Sequence, residues 1–184
     1  MFNLSTQDVV QSIEKAPLVI LDGIHYQEYH NFFGKNILDQ LKTLTIYDFD
    51  HLDKQKFMPR LKIAYHTEIM KKLKIFFMHT SISNALERKF KTDLKFESVD
   101  IWRDGPSYRL PPHTDDSRIK LALQIYLSND NVGTSLYGSD YNIIKSFAYN
   151  FNSGYALLNN KFSLHGTTGK VTNPDRWSMY VRYS

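Results

Sequence analysis

Residues 119–127 read IKLALQIYL and alternate apolar residues with small or polar ones without interruption. A two-residue period predicts a β-strand, because successive side chains point to opposite faces of a sheet. One face of this strand is entirely apolar, whereas the other carries Ala122, Gln124 and Tyr126. We therefore expect the apolar face to pack outward and the more polar face to point inward.

Residues 176–183, RWSMYVRY, show the same period. Arg176, Ser178, Tyr180 and Arg182 share one face, and apolar side chains occupy most of the other. A polar inner face with an apolar outer face is the reverse of a simple sandwich core. It favours a barrel that encloses a polar ligand.

Further strand-length segments follow residue 92, separated by turn residues such as Asn, Asp, Gly and Pro. They lie at 96–102, 133–137, 142–149, 155–160 and 163–168. Seven or eight short strands in this half predict a jelly-roll, cupin-like double sheet, that is, a double-stranded β-helix. The fold class expected is mostly β, with N-terminal helices packed on one sheet.

Residues 1–91 are dominated by helical periodicity. Predicted elements are a helix capped by Thr6 and ended by Pro17, a buried strand at 18–21, and helices carrying Tyr29/Phe33/Ile37/Leu41, Ile69/Leu73/Phe76 and Ile82/Leu86/Phe90. We interpret residues 45–62 as a long loop, and a lid is one reading of it. The whole chain, 1–184, is predicted to be one domain, with a helical supporting part (1–91) and a β core (92–184).

Composition excludes several classes of protein. The chain has 184 residues, 42% hydrophobic and 23% charged, with no cysteine. Disulfides, thiolate catalysis, iron–sulfur clusters and Cys-ligated zinc are therefore excluded, so any metal must be held by His and carboxylate. No apolar run approaches a membrane span and no signal-peptide pattern is present, so we expect a cytoplasmic protein. The net charge of +4 is mildly basic.

The chemistry is expected around His113-Thr114-Asp115 and His165. Two imidazoles and one carboxylate are the ligand set of non-haem Fe(II) oxygenases. A His-x-Asp pair alone is weak, since His51-Leu52-Asp53 is a second one. Only His113 leads directly into an alternating strand, and only His165 is followed, eleven residues later, by Arg176 with Ser178 beyond it.

Together these residues resemble the Fe(II)- and 2-oxoglutarate-dependent dioxygenase superfamily, in particular its small prolyl-4-hydroxylase-like members. The resemblance spans about residues 15–184 and is most specific over 96–184. It implies that His113, Asp115 and His165 bind Fe(II) and that Arg176 pairs with the far carboxylate of 2-oxoglutarate; these four are the implied catalytic residues. Ser178, Tyr126 and Tyr108 would complete the cosubstrate site.

Two departures concern the cosubstrate site. Trp102 stands where these proteins often have tyrosine, and five residues rather than three separate Tyr108 from His113, which puts the role of Tyr108 in doubt. The implied activity is hydroxylation of a C–H bond coupled to decarboxylation of 2-oxoglutarate, with ascorbate as a candidate additional cofactor.

The substrate is left open by the sequence. A small molecule or a peptide is expected, with a prolyl residue or a free amino acid as examples, and no membrane partner. One alternative is a nucleic-acid demethylase of the same superfamily, since Arg182 adds a second arginine six residues after Arg176; Ser178 in place of Asn argues against it. The other is a non-redox cupin-like binding protein, which would not need the Arg176 anchor. Oligomeric state is not indicated.

Overall fold

The computed structural model describes residues 5–42, 49–50, 60–172 and 174–184. The helices it describes are α1 (Gln7–Lys15), α2 (Lys35–Leu41), α3 (Glu68–Phe77) and α4 (Thr80–Phe90). The described strands are β1 (Val19–Leu21), β2 (Ile24–Tyr29), β3 (Phe49–Asp50), β4 (Arg60–Ile63), β5 (Phe96–Asp104), β6 (Leu121–Tyr126), β7 (Thr134–Tyr137), β8 (Ile143–Ser146), β9 (Gly154–Leu158), β10 (His165–Thr167) and β11 (Arg176–Tyr183).

The strands form two antiparallel sheets. Eight strands are ordered β1-β2-β9-β6-β11-β5-β4-β3, and three are ordered β10-β7-β8. Every strand predicted after residue 92 is present, and the mostly β, antiparallel class with a few helices is confirmed.

The large sheet has the two faces expected from the alternation. Across its centre, Met179 of β11 lies opposite Ile101 of β5 and Ile125 of β6. These side chains join one hydrophobic core with residues from all four described helices. The helices therefore cover the apolar outer face, as predicted. On the inner face Arg176 lies opposite Asp104.

Helix predictions hold where the apolar period is long. Val9 and Ile13 are buried in α1, and the apolar positions of α3 and α4 are buried as expected. The predicted Thr6 cap is wrong in one respect, since its side chain makes no capping hydrogen bond. His79 instead caps α4, where its ring nitrogen accepts from the backbone N–H of Ser81.

Three first-half predictions need correction. Tyr29 ends strand β2 rather than beginning a helix, because β2 pairs with β9. The four-residue spacing of apolar residues that suggested one helix in fact extends over the end of this strand and the shorter helix α2. The strand near residue 20 is an edge strand, with Ile20 62% exposed rather than buried. The predicted loop 45–62 contains β3 and the start of β4.

The rest of that loop, including His51 and Asp53 and any lid, lies outside the described residues. None of the described helices has the length and apolar character needed to cross a membrane.

Candidate active site

Three potential metal ligands converge beside the inner face of the large sheet. His113, Asp115 and His165 each place one ligand atom so that all three atoms lie within 4.8 Å of one another. Nε2 of His113 and Nε2 of His165 are each 3.9 Å from Oδ1 of Asp115. Across the described ranges no other His, Asp and Glu side chains form such a group of three.

Backbone pairing brings the two histidines together from distant parts of the chain. His113 and His165 exchange N–H···O bonds of 2.9 and 2.8 Å in an isolated antiparallel bridge. Gly166 permits this approach, since a Cβ there would lie 2.6 Å from the carbonyl oxygen of Leu110. The backbone of β10 can therefore pack directly on the segment that carries His113.

Hydrogen bonds at Nδ1 orient both imidazoles. His113 Nδ1 lies 3.0 Å from the carbonyl oxygen of Pro111, and His165 Nδ1 lies 2.9 Å from that of Ser163. A carbonyl only accepts, so Nδ1 carries the proton in each ring and Nε2 presents its lone pair toward Asp115.

The electrostatics of the triad favour metal binding. Burial lowers the pKa of His165, opposed by the nearby Asp115 carboxylate and reinforced by His113. A neutral imidazole is the form that ligates a metal. Two imidazole nitrogens and one carboxylate are a ligand set that fits Fe(II).

Arg176 lies fully inside the protein, with 1% of its surface exposed. Its Nε donates to the carbonyl oxygen of Val132 at 2.9 Å, and its Nη1 donates to Asp104 Oδ2 at 2.7 Å and to Ser178 Oγ at 3.3 Å. Burial acts most strongly against its charge, but Asp104 together with Tyr180, Tyr126 and Tyr149 outweighs burial, and the pKa of Arg176 is raised. The guanidinium is therefore charged and held by fixed partners.

Three buried side-chain atoms have no hydrogen-bond partner in the part of the chain that the structure describes: Arg176 Nη2, Tyr108 Oη and Gln124 Nε2. An unpaired buried donor is unfavourable for the protein alone, and each such atom calls for an explanation. Two of the three belong to residues implied as cosubstrate ligands. All three atoms can donate to a carboxylate or a carbonyl, so they fit a 2-oxo dicarboxylic acid.

The other implied cosubstrate residues have partly different surroundings. Ser178 and Tyr126 lie directly opposite each other on β11 and β6. The hydroxyl oxygen of Tyr126 accepts from the backbone N–H of Thr134 at 3.0 Å, which leaves its own proton to donate. Burial raises the pKa of Tyr126 to about 12, opposed by Arg176. Its phenol is therefore protonated.

Two inner-face residues that sequence reasoning did not single out complete the surroundings of Arg176. Asp104, which is fully buried, also accepts from Arg60 Nε at 2.6 Å. We call Arg60, Asp104 and Arg176 the Asp104 group. Alternation within β5, which puts Asp100, Trp102 and Asp104 on one face, was the available signal.

Tyr180 connects this group with the metal ligands. Burial raises its pKa, and the charges that act on it include Arg176, Arg60, Asp104 and Asp115. The charges of Asp115, a proposed metal ligand, and of Arg176 thus both affect the pKa of Tyr180. In geometry, Tyr126, which lies opposite Ser178, accepts from Thr134 of β7, and β7 pairs with the strand that carries His165.

A second carboxylate lies four residues earlier on β5. Asp100 Oδ1 is 2.6 Å from Lys62 Nζ and accepts from Tyr65 Oη at 2.7 Å. Arg182 donates to the other carboxylate oxygen and, through Nε, to Ser98 Oγ at 2.9 Å. We call Lys62, Asp100 and Arg182 the Asp100 group.

Comparison with known proteins shows similarity in structure only. No protein-family sequence model and no curated protein sequence matches the chain. Among solved structures, an oxidoreductase of the 2OG-Fe(II) oxygenase family from Burkholderia pseudomallei matches with a TM-score of 0.67 and 10% identity, over 98% of this chain and 91% of that one.

Two further structures agree. A prolyl 4-hydroxylase from Phytophthora capsici gives a TM-score of 0.68 at 16% identity, over 100% of this chain and 66% of that one. HygX from Streptomyces hygroscopicus, solved with nickel and 2-oxoglutarate bound, gives 0.63 at 13% identity, over 86% and 82% of the two chains. The chain therefore has the fold of 2-oxoglutarate and Fe(II) oxygenases, as the resemblance in sequence implies.

Proposed function

We propose that this protein is an Fe(II)- and 2-oxoglutarate-dependent oxygenase that hydroxylates a small molecule or a peptide. The observation that carries the proposal is the buried guanidinium of Arg176, whose Nη2 has no partner within the described residues, together with the His113, Asp115 and His165 cluster. The two are linked through Tyr126, which accepts from Thr134 of the strand that pairs with β10. A plain metal site needs no buried cation of this kind.

In this proposal His113, Asp115 and His165 hold Fe(II) on one face and leave its remaining positions to cosubstrate and oxygen. When bound, the metal supplies the redox chemistry that couples decarboxylation of 2-oxoglutarate to oxidation of a C–H bond. The carbonyl acceptors at Pro111 and Ser163 keep both Nε2 atoms aimed at the metal position.

Arg176 would bind the far carboxylate of 2-oxoglutarate through Nη2, because Nε and Nη1 are already bonded and Nη2 has no partner among the described residues. Tyr108 and Tyr126 would each donate a hydroxyl proton, and Ser178 would keep Nη1 in place. Gln124 is a further candidate, since its Oε1 is already bonded by Thr134 and Tyr155 and its Nε2 is free. These residues orient the cosubstrate and exclude water from around it.

We also propose that residues 1–184 form one oxygenase domain and that its two sheets make a double-stranded β-helix. Two parts of the site support this: His165 comes from the small sheet, and Arg176 comes from the large one. Such a site requires both sheets to face each other.

Prolyl 4-hydroxylases are among the structures with this fold, so we propose a prolyl residue or an amino acid as substrate class. The nucleic-acid alternative is weakened because Arg182, its second arginine, is bonded to Asp100 and Ser98 within the sheet. Ascorbate stays a candidate additional cofactor.

The proposal is tested by titrating 2-oxoglutarate into anaerobic protein loaded with Mn(II), and by measuring 2-oxoglutarate consumption with Fe(II) in air. We expect metal-dependent binding and slow consumption even without substrate. Metal binding without any 2-oxoglutarate binding would favour the cupin-like alternative.

A further inference from the structure

The Asp104 group contains two guanidinium groups and one carboxylate. Arg60 donates to Asp104 Oδ1 through Nε at 2.6 Å and to Oδ2 through Nη2 at 3.4 Å, and Arg176 Nη1 donates to Oδ2 at 2.7 Å, so both arginines bond to the same carboxylate. The three residues lie opposite one another on β4, β5 and β11. Asp104 is thus shared rather than dedicated to one partner.

Sharing leaves the group with a net charge of +1. If Arg176 and Asp104 stood alone, they would neutralise each other, and an incoming carboxylate would meet no net attraction. A buried anion needs a compensating charge, because removing it from water is expensive. Arg60 provides that charge without occupying Nη2 of Arg176.

Aromatic contacts hold Arg60 in place beside Asp104. Its guanidinium carbon lies 4.3 Å from the ring centroid of Trp102 and 4.6 Å from that of Tyr108. Cations over aromatic faces are stabilised, so both rings favour this position of the guanidinium.

We propose that Arg60 is a positioning residue that sets the affinity for 2-oxoglutarate by sharing Asp104 and leaving the positive charge of Arg176 uncompensated. This inference rests on the proposed function. It assigns a role to Trp102 as well, since that ring stands where the resemblance leads one to expect a tyrosine and instead supports Arg60.

The test is calorimetric titration of 2-oxoglutarate into anaerobic Mn(II)-loaded protein. Arg60→Met should weaken binding by roughly tenfold or more, since the pocket becomes neutral. Arg60→Lys should stay within about threefold of wild type, because the ammonium keeps the charge. The double variant Arg60→Met/Asp104→Asn should recover most of the affinity, since Asn accepts a hydrogen bond from Arg176 but carries no charge.

Arg182→Met is the matched control, because it also removes one arginine from a carboxylate-bridged pair, about 20 Å along the same strand from Arg176. It should leave affinity unchanged. Thermal melts of the same samples report folding, and the double variant keeps the test decisive if Arg60→Met is unstable.

Equal affinity in wild type and Arg60→Met would overturn the inference and leave the proposed function standing. Loss of affinity in Arg60→Met, Arg60→Lys and the double variant alike would also overturn it. Such a result would indicate that Arg60 acts by packing against the rings of Trp102 and Tyr108 and not through its charge. Absence of 2-oxoglutarate binding in wild type would overturn the proposed function and this inference together.

Discussion

Asp104 and Asp100 are both buried carboxylates on β5, and each is shared by two cationic side chains. In the Asp104 group one guanidinium nitrogen, Nη2 of Arg176, has no partner. In the Asp100 group, by contrast, every buried side-chain nitrogen and oxygen has a partner among the described residues, and Tyr65 and Ser98 add hydrogen bonds. Both groups thus consist of a buried carboxylate between two cations, but the Asp100 group has its hydrogen bonds made by protein atoms, whereas the Asp104 group has one unpartnered nitrogen.

The difference separates binding from stability. A buried ion pair whose hydrogen bonds are all made contributes to the specific arrangement of the strands, and breaking it destabilises the fold. A buried donor without a partner is unfavourable for the protein alone, and in the proposed function 2-oxoglutarate supplies that partner. We therefore expect substitutions in the Asp104 group to change ligand affinity and substitutions in the Asp100 group to change stability.

The largest effect is expected at the metal ligands, without which the Asp104 group would hold only one end of the cosubstrate. His113→Ala and His165→Ala should each abolish Fe(II) or Mn(II) binding and turnover, because a three-ligand site that loses one ligand loses its facial geometry. Calorimetric titration of each variant with Fe(II) or Mn(II) measures the loss of metal binding. His66→Ala, at an exposed turn position, is the control and should bind metal normally. Tight metal binding by His113→Ala would contradict the site.

Arg176→Gln should weaken 2-oxoglutarate binding by at least about a hundredfold with little change in metal affinity. Removing one member of a buried charge pair costs about 3–5 kcal/mol, and about 1.4 kcal/mol corresponds to tenfold. Arg176→Lys should be intermediate, since an ammonium cannot reproduce the planar fork. The readout is calorimetry on the anaerobic Mn(II) protein. Unchanged affinity in Arg176→Gln would remove the distinction between the two groups.

Asp100→Asn should lower stability and leave 2-oxoglutarate affinity nearly unchanged, whereas Arg176→Gln should lower affinity. Asp100→Asn leaves Lys62 and Arg182 without a carboxylate and should lower the free energy of unfolding by about 3 kcal/mol. For a domain of this size that is a fall of roughly 6–12 °C in Tm. Affinity for 2-oxoglutarate should stay within about twofold at a temperature where the variant is folded. A large loss of affinity with an unchanged Tm would reverse the roles of the two groups.

The smallest effect is expected at Tyr108, whose buried hydroxyl has no partner. Tyr108→Phe should leave Tm equal or slightly higher, because it removes an unsatisfied polar atom, yet weaken 2-oxoglutarate binding about fivefold, the value of one hydrogen bond near 1 kcal/mol. Tyr29→Phe is the matched control, since it removes a buried hydroxyl that donates to Gln27 at 2.7 Å. It should lower Tm and leave affinity unchanged. Lower Tm in Tyr108→Phe would indicate a structural hydroxyl.

Much of the strand half could be predicted from the sequence, because alternation is a local property. The face that carries Arg176 and Ser178 was evident from the two-residue period of 176–183. The first half was harder. Tyr29 fits a helical period with Phe33 and Ile37, yet it ends a strand, because pairing with β9 outweighs local periodicity.

The sequence by itself determined the residue types of the proposed metal ligands, the order of the strands after residue 92 and the polar face proposed to hold a charged ligand, since these depend on residue identity and spacing. Only the tertiary structure decided that Arg60 from β4 and Arg176 from β11 meet on one carboxylate of β5. Strand order within a sheet is set by long-range pairing that no local pattern encodes. For that reason the sequence could indicate Arg176 as the proposed anchor, but not Arg60 as the second arginine on the same carboxylate.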